Sequence, residues 1–288
     1  MTTRSPRQAR ALSRNNPAHD DQGMMTKDGH ALVIAVLGLG EAGSLIARDL
    51  ARAGVLVRGY DPAVPACEGI TSEAEAARGA DLVLSINSAK AAVEAFRNGR
   101  PGLRPGVVWA DLNTASPSTK RQLADIAGAA DVPFTDVAMM APVPGRGLRV
   151  PMLASGGAAA RYAAMLSPLG AGIEVLDGPA GLAASKKLLR SVFYKGMAAA
   201  VGEALEAARA ADDEPWLREH IAAELAAADA GTMVRIVEGT YKHAVRRTAE
   251  MAAAADMLTE LGVPPLIAEA SRALHERLAS PQAAPQAP

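Results

Sequence analysis

Cysteine is almost missing from this chain. Cys67 is the single one in 288 residues, so neither an internal disulfide nor a thiolate metal cluster can form. A reducing, cytoplasmic location is the simplest reading. Aromatic residues amount to only 3% and the formal net charge is −1. Nucleic-acid binding draws on a basic stripe interleaved with aromatics, and none is present. The histidines (His19, His30, His220, His243 and His275) show no HxxH or HExxH spacing, which leaves no metal site. No apolar run is long enough to span a bilayer, so no membrane association is expected. Residues 1–29 carry Arg4, Arg7, Arg10 and Arg14 but no apolar h-region, so they do not read as a secretory signal. They read instead as a disordered extension, with Met24 and Met25 as further start positions. Residues 280–288, SPQAAPQAP, read as a low-complexity disordered tail.

What is present is a globular composition, 49% hydrophobic and 21% charged, enough for one large domain or two modest ones. From Ala31 the pattern alternates. ALVIAVLG is a continuous apolar run suited to a strand buried on both faces, and EAGSLIARDLARAG follows at helical spacing. VLVRGYD, DLVLSIN, GVVWADLN, PFTDVAMM, RVPMLASG and GIEVLDG continue the strands, with helical stretches between most of them. Such alternation predicts βαβ units and an α/β Rossmann-type, doubly wound, mostly parallel sheet. Beyond Gly178 strand signals stop and alanine-rich helical segments take over. Pro215 after DDE marks a helix start, and Gly262, Pro264 and Pro265 mark a stop and restart. The predicted organisation is a dinucleotide-binding domain over 30–178 and an all-α domain over 179–279.

The sharpest motif is Gly38-Leu39-Gly40-Glu41-Ala42-Gly43, a G-x-G-x-x-G turn between a predicted strand and a predicted helix. The first glycine permits the tight turn. The second lets backbone approach a pyrophosphate, and the third lets the helix pack closely on the strand. The next strand ends in Asp61, 18 positions after Gly43, where a carboxylate can bond both ribose hydroxyls of the adenosine. It would also repel a 2′-phosphate, so NAD is preferred to NADP. Arg58 lies within the strand and opposes this only weakly. Ser85, Ile86 and Asn87, and likewise Asn113 and Thr114, end two further strands at the edge where ligands bind in open α/β sheets. The alternative for Asn87 and Asn113 is that they cap the following helices.

With the glycine turn, the DLNTASP segment and the lysine-bearing stretch GLAASKKLLRSVFYKG, the chain resembles the β-hydroxyacid dehydrogenase superfamily. That group includes 6-phosphogluconate and 3-hydroxyisobutyrate dehydrogenases, and the likeness is to a branch with a short phosphogluconate-dehydrogenase-type C-terminal domain. The resemblance covers roughly residues 31–278 by order and spacing. It implies a Rossmann domain followed by a helical domain with the active site between them. It also implies that Lys187, six positions after Gly181, is the general acid/base for a 3-hydroxy acid or sugar acid. The family's usual asparagine four positions on is Ser191 here. The family's carboxylate-binding D-x-P-V-S-G-G-like segment is replaced by APVPGRG, with Pro144 for the serine and Arg146 for a glycine. Arg146 is either a bidentate carboxylate clamp or a mobile surface arginine.

Ser191, Tyr194 and Lys195 share a helical face with Lys187. Lys195 is either a contact for a carboxylate or phosphate at the far end of the substrate, or a surface lysine. His243, in TYKHAVRRTAEM, either reaches the site or is a capping or solvent-facing histidine. Thr114, Arg146, Ser191, Lys195 and His243 are the candidate substrate contacts. Two other functions stand beside the dehydrogenase: an imine-reductase-like enzyme on the same architecture, and a dinucleotide-binding sensor without turnover. Lys187 speaks against both. Apolar stripes along 197–211 and 220–237 predict burial against neighbouring helices. By the family resemblance they also predict a homodimer through the helical domain.

Overall fold

A computed structural model describes residues 30–65 and 69–280. The expectations for residues 1–29, for Cys67 and for the tail from 281 onward lie outside the described residues. The chain divides into two compact units, the first ending at Arg190 and the second beginning at Ser191.

The first unit is built on one seven-stranded sheet in the order β2-β1-β3-β4-β5-β6-β7. Its strands are β1 (Val33–Leu37), β2 (Leu56–Tyr60), β3 (Leu82–Ser85), β4 (Val108–Asp111), β5 (Phe134–Met139), β6 (Met152–Ser155) and β7 (Ile173–Val175). All seven stretches read as strands from the sequence are strands here. Between them lie α1 (Glu41–Arg52), α2 (Glu73–Ala77), α3 (Ala92–Gly99), α4 (Pro117–Gly128) and α5 (Ala159–Leu166). The five-residue α2 has no clear sequence signal beyond Ser72, whose Oγ accepts from Glu75 N at 3.2 Å and caps it.

Every pairing is parallel except β5 with β6. No α-helix separates those two strands, so the chain folds straight back instead of crossing over. Alternate residues of each strand feed two cores. One face buries Ile34, Val36, Leu84, Val108, Ala110 and Met152 among others against α1 and α5. The opposite face buries Ala35, Leu37, Val83, Trp109 and Phe134 with Phe96 and Leu123. Trp109 and Phe96 meet edge to face at 4.9 Å.

The helix α6 (Leu182–Ala210) crosses the division between the units. The second unit holds the rest of α6 with α7 (Glu214–Ala227), α8 (Ala230–Lys242), α9 (Ala244–Glu260) and α10 (Leu266–Ala279). Glu203 on α6 accepts from Ile267 N at 2.7 Å and Ala268 N at 2.8 Å, tying down the start of α10. Glu214 is chelated by Arg209 and Arg218, which hold its carboxyl down at about 2. A small core gathers Ala207, Leu258 and Val263. The stripe expected over 220–237 behaves differently from the prediction. It is interrupted between α7 and α8, and no residue of either helix is buried. Neither helix finds enough apolar surface in its own chain to cover that stripe. No helix among the described residues is long and apolar enough to cross a membrane.

Candidate active site

The parallel strands β1, β3 and β4 all end at one edge of the sheet, and the glycine turn leaves β1 there. Gly38 has φ +98°, a left-handed conformation that favours glycine, and an added Cβ would lie 2.5 Å from Ile86 O. An added Cβ on Gly43 would stand 1.8 Å from Gly38 O, so the third glycine sets how closely α1 packs on β1. Gly40 is different: a Cβ there would meet nothing within 4 Å. As N-cap of α1 it offers no side-chain oxygen to the first-turn N–H groups. Open space above Gly40 and an uncapped helix start together fit a dinucleotide pyrophosphate.

Asp61 follows β2. Its Oδ2 accepts from Leu39 N at 2.8 Å and its Oδ1 from Ala63 N at 2.8 Å, so the carboxylate also braces the glycine turn. Each oxygen has a second lone pair for a ribose hydroxyl. The Arg58 guanidinium donates to Ala76 O at 3.2 Å and Glu75 O at 2.8 Å, so it is engaged with the end of α2.

Asn87 and Asn113 cap no helix. Ser88 Oγ accepts from Ala91 N near the start of α3, and Ser116 caps α4. The two asparagines instead knot the ends of β3 and β4 together. Asn113 Nδ2 donates to Asn87 Oδ1 at 3.0 Å and to Ser85 Oγ at 3.1 Å, and it also contacts Asp111 Oδ1. Ser85 Oγ donates to Asn87 Oδ1 at 2.8 Å. Ser85 is fully buried, Ile86 is nearly so, and Asn87 and Thr114 are exposed.

A small cleft opens beside this knot, lined by Asn113, Thr114, Asp136, Ala184, Lys187 and Leu188 among others. Lys187 Nζ donates to Thr114 Oγ1 at 2.9 Å. Gly181, just before α6, has φ +97°, and an added Cβ would press on Pro117 O at 2.8 Å, so the entry to the lysine helix admits only glycine comfortably. Lys186 is exposed. Arg146 is exposed on the β5–β6 connection, where the neighbouring Leu148 N donates to Asp49 Oδ2 of α1 at 3.0 Å. Ser191 and Lys195 lie further along α6 in the second unit. His243 sits at the junction of α8 and α9, its N–H donating to Gly239 O at 3.1 Å.

Three buried groups around the cleft escape a reading of the sequence as a site. Lys120 is 1% exposed on α4, and its Nζ reaches Asp111 O at 2.7 Å, Asp111 Oδ2 at 2.7 Å and Asp136 Oδ1 at 3.1 Å. Asp136 and Ser155 are fully buried on β5 and β6. The available signal was charge inside strands: VWAD and FTDVAM each carry an aspartate among core residues.

Residues 33–147 match the model of the NAD binding domain of 6-phosphogluconate dehydrogenase. Residues 208–278 match a domain of unknown function (DUF1932). The chain thus carries a 6-phosphogluconate dehydrogenase-like NAD-binding domain followed by a helical domain of the DUF1932 type. A mitochondrial 3-hydroxyisobutyrate dehydrogenase of Drosophila melanogaster is 27% identical over 155 residues, 50% of this chain and 48% of that protein. The match thus spans about half the length of that relative. A conserved hypothetical protein from Sinorhizobium meliloti 1021 is 29% identical, with 88% of this chain and 90% of that one covered at a TM-score of 0.55. A conserved protein described as structurally similar to 3-hydroxyacid dehydrogenases is 26% identical, covering 86% and 96%, at 0.54. An imine reductase from Myxococcus stipitatus shares the fold at a TM-score of 0.70 with 16% identity over 85% and 93% of the two chains. The protein therefore has an NAD(P)-binding domain and a 3-hydroxyacid dehydrogenase-like fold.

Proposed function

We propose that this protein is an NAD-dependent oxidoreductase acting on the hydroxyl carbon of a 3-hydroxy acid or related sugar acid, with Lys187 as general acid/base. The observation that carries the reading is Lys187 Nζ at 2.9 Å from Thr114 Oγ1, in a cleft at the carboxyl end of β4. A lysine and a hydroxyl one hydrogen bond apart can both address a substrate hydroxyl. When bound, the dinucleotide supplies the hydride acceptor. Lys187 takes the hydroxyl proton during oxidation and returns it during reduction. Thr114 orients the same oxygen, and Asn113, Asn87 and Ile86 line the cofactor side. The glycine turn from Gly38 to Gly43, with Leu39, Glu41 and Ala42 between, would hold the pyrophosphate.

NAD is preferred because Asp61 would oppose a 2′-phosphate and Arg58 is engaged elsewhere. Arg146 is the candidate for the substrate carboxylate. Lys195 enters this reading through its helical spacing from Lys187, His243 through the family resemblance, and Ser191 through both. Imine reduction has only the shared fold behind it, and the Lys187–Thr114 pair favours alcohol chemistry. We also infer a homodimer, because α7 and α8 bury none of their residues and leave Trp216, Met233 and Ile236 between 59% and 67% exposed.

The test is NADH absorbance on mixing the protein with NAD and a panel of 3-hydroxy acids and sugar acids. Wild type is expected to turn over at least one, and Lys187→Ala to lose roughly 10²- to 10⁴-fold in kcat while still binding NAD. Wild-type turnover by the variant would sink the role of Lys187.

A further inference from the structure

One register row of the sheet is unlike every other. It runs through Leu37 of β1, Ser85 of β3, Asp111 of β4, Asp136 of β5 and Ser155 of β6. Residues in one row point to the same face, and the last four are polar and fully buried. A row of buried polar groups destabilises a sheet unless each is satisfied. Here each is, and the partners lead to the cleft. Asp136 Oδ2 accepts from Gly181 N at 3.0 Å and Ala184 N at 3.0 Å, and Ser155 Oγ lies 3.4 Å from it. Ser155 Oγ accepts from Ala183 N at 3.1 Å. With Leu182 N on Pro179 O and Ser185 N on Gly181 O, every N–H at the start of α6 is taken up. The start of α6 is thus closed by the sheet beneath it, whereas Gly40 leaves the start of α1 open.

Lys120 joins this cap to the other side of the cleft. It donates to Asp111 O and forms ion pairs with Asp111 Oδ2 and Asp136 Oδ1. Asp111 ends β4, and Thr114 is three residues on. The row therefore holds both partners of the Lys187–Thr114 bond: α6 through Asp136 and Ser155, and the β4 end through Lys120 and Asp111. A helix start needs only one capping oxygen. Two capping side chains plus a buried lysine linking them to the facing loop exceed what helix formation asks.

We propose that Asp136, Ser155 and Lys120 are positioning residues that set the register of Lys187 against Thr114, the function they serve resting on the dehydrogenase reading above. Ser155 is the cleanest probe, because removing its hydroxyl leaves every buried charge paired.

The experiment is trace acetylation with acetic anhydride on the full-length protein, without substrate, across about pH 6 to 11. Labelling is read by mass spectrometry at Lys187, with Lys90 and Lys242 as internal references. Ser155→Ala is expected to raise Lys187 labelling about fivefold relative to the references, the factor that loss of a helix cap corresponds to. Ser155→Thr, which keeps the hydroxyl, is expected to restore the wild-type ratio. A fall in Tm with an unchanged Lys187 ratio would mean that Ser155 only stabilises the fold, and would overturn the proposal. Should Ser155→Ala fail to fold, Ser155→Cys carries the same comparison with a weaker acceptor of similar size.

Once a turned-over acid is in hand, Ser155→Ala should lower kcat and leave the KM for NAD unchanged. It should have no further effect in a Lys187→Met background. Equal losses in both backgrounds would again overturn the proposal. If Lys187→Met itself retains activity, the acid/base reading fails while the labelling result stands, so the two failures are distinguishable.

Discussion

Single residues carry the proposed chemistry, and several of them also have a structural duty. Asp61 stabilises the glycine turn through Leu39 N and is also the candidate for selecting NAD. Asp61→Asn keeps an acceptor oxygen and removes the charge, so NADP affinity should rise at least about tenfold relative to NAD, as titration calorimetry with both cofactors would show. Gly43→Ala places a methyl 1.8 Å from Gly38 O. It should abolish NAD binding and lower stability by about 1–3 kcal/mol in urea unfolding. Lys120→Met strands two buried carboxylates and should cost about 3–5 kcal/mol, the loss expected when one partner of a buried ion pair is removed. A loss under about 1 kcal/mol would show that the ion pair contributes little to the fold.

At the scale of elements, what matters is how a helix or strand spends its ends and faces. Helix α4 turns Lys120, Leu123 and Ala127 inward together, so a lysine occupies a core position of an amphipathic stripe. Helix α5 turns Tyr162 fully inward, with its hydroxyl donating to Met152 Sδ at 3.2 Å. Burial pushes the Tyr162 phenol well above its ordinary value. The unfolded chain therefore gives up this proton near the ordinary value of about 10, while the folded chain keeps it. The unfolded state then binds fewer protons, so this contribution to stability is full below about pH 10 and falls as pH rises further. Tyr162→Phe should remove that alkaline decline. At neutral pH it should cost less than about 1 kcal/mol, because the lost acceptor is only a thioether. Urea unfolding at neutral and alkaline pH would show both effects.

For the whole molecule, the apolar residues left outside are the informative ones. The second unit exposes Trp216, Leu225, Met233, Val234, Ile236 and Tyr241 along α7 and α8. In a lone chain in water such faces promote association. Light scattering after size exclusion should give twice the chain mass of 29.6 kDa. Ile236→Glu should shift the mass toward one chain, and a wild-type monomer at micromolar concentration would contradict the dimer.

The amino-acid sequence by itself determined the seven strands, the glycine turn, the acid after β2 and the lysine six residues after Gly181. Those signals are local: a run of branched residues, a glycine at a tight turn, a fixed helical spacing. The resemblance to the β-hydroxyacid dehydrogenases rests on the same local patterns. Tertiary structure alone decided the rest. The reversal between β5 and β6 depends on which strand edge is free, not on either strand's composition. That Asn113 knots two strand ends instead of capping α4 depends on β3 lying beside β4. Lys120, Asp136, Ser155 and their partners come from five elements: β4, α4, β5, β6 and the start of α6. Only the folded sheet brings register partners into one row and removes the water that would otherwise pair with the charges of Lys120 and Asp136.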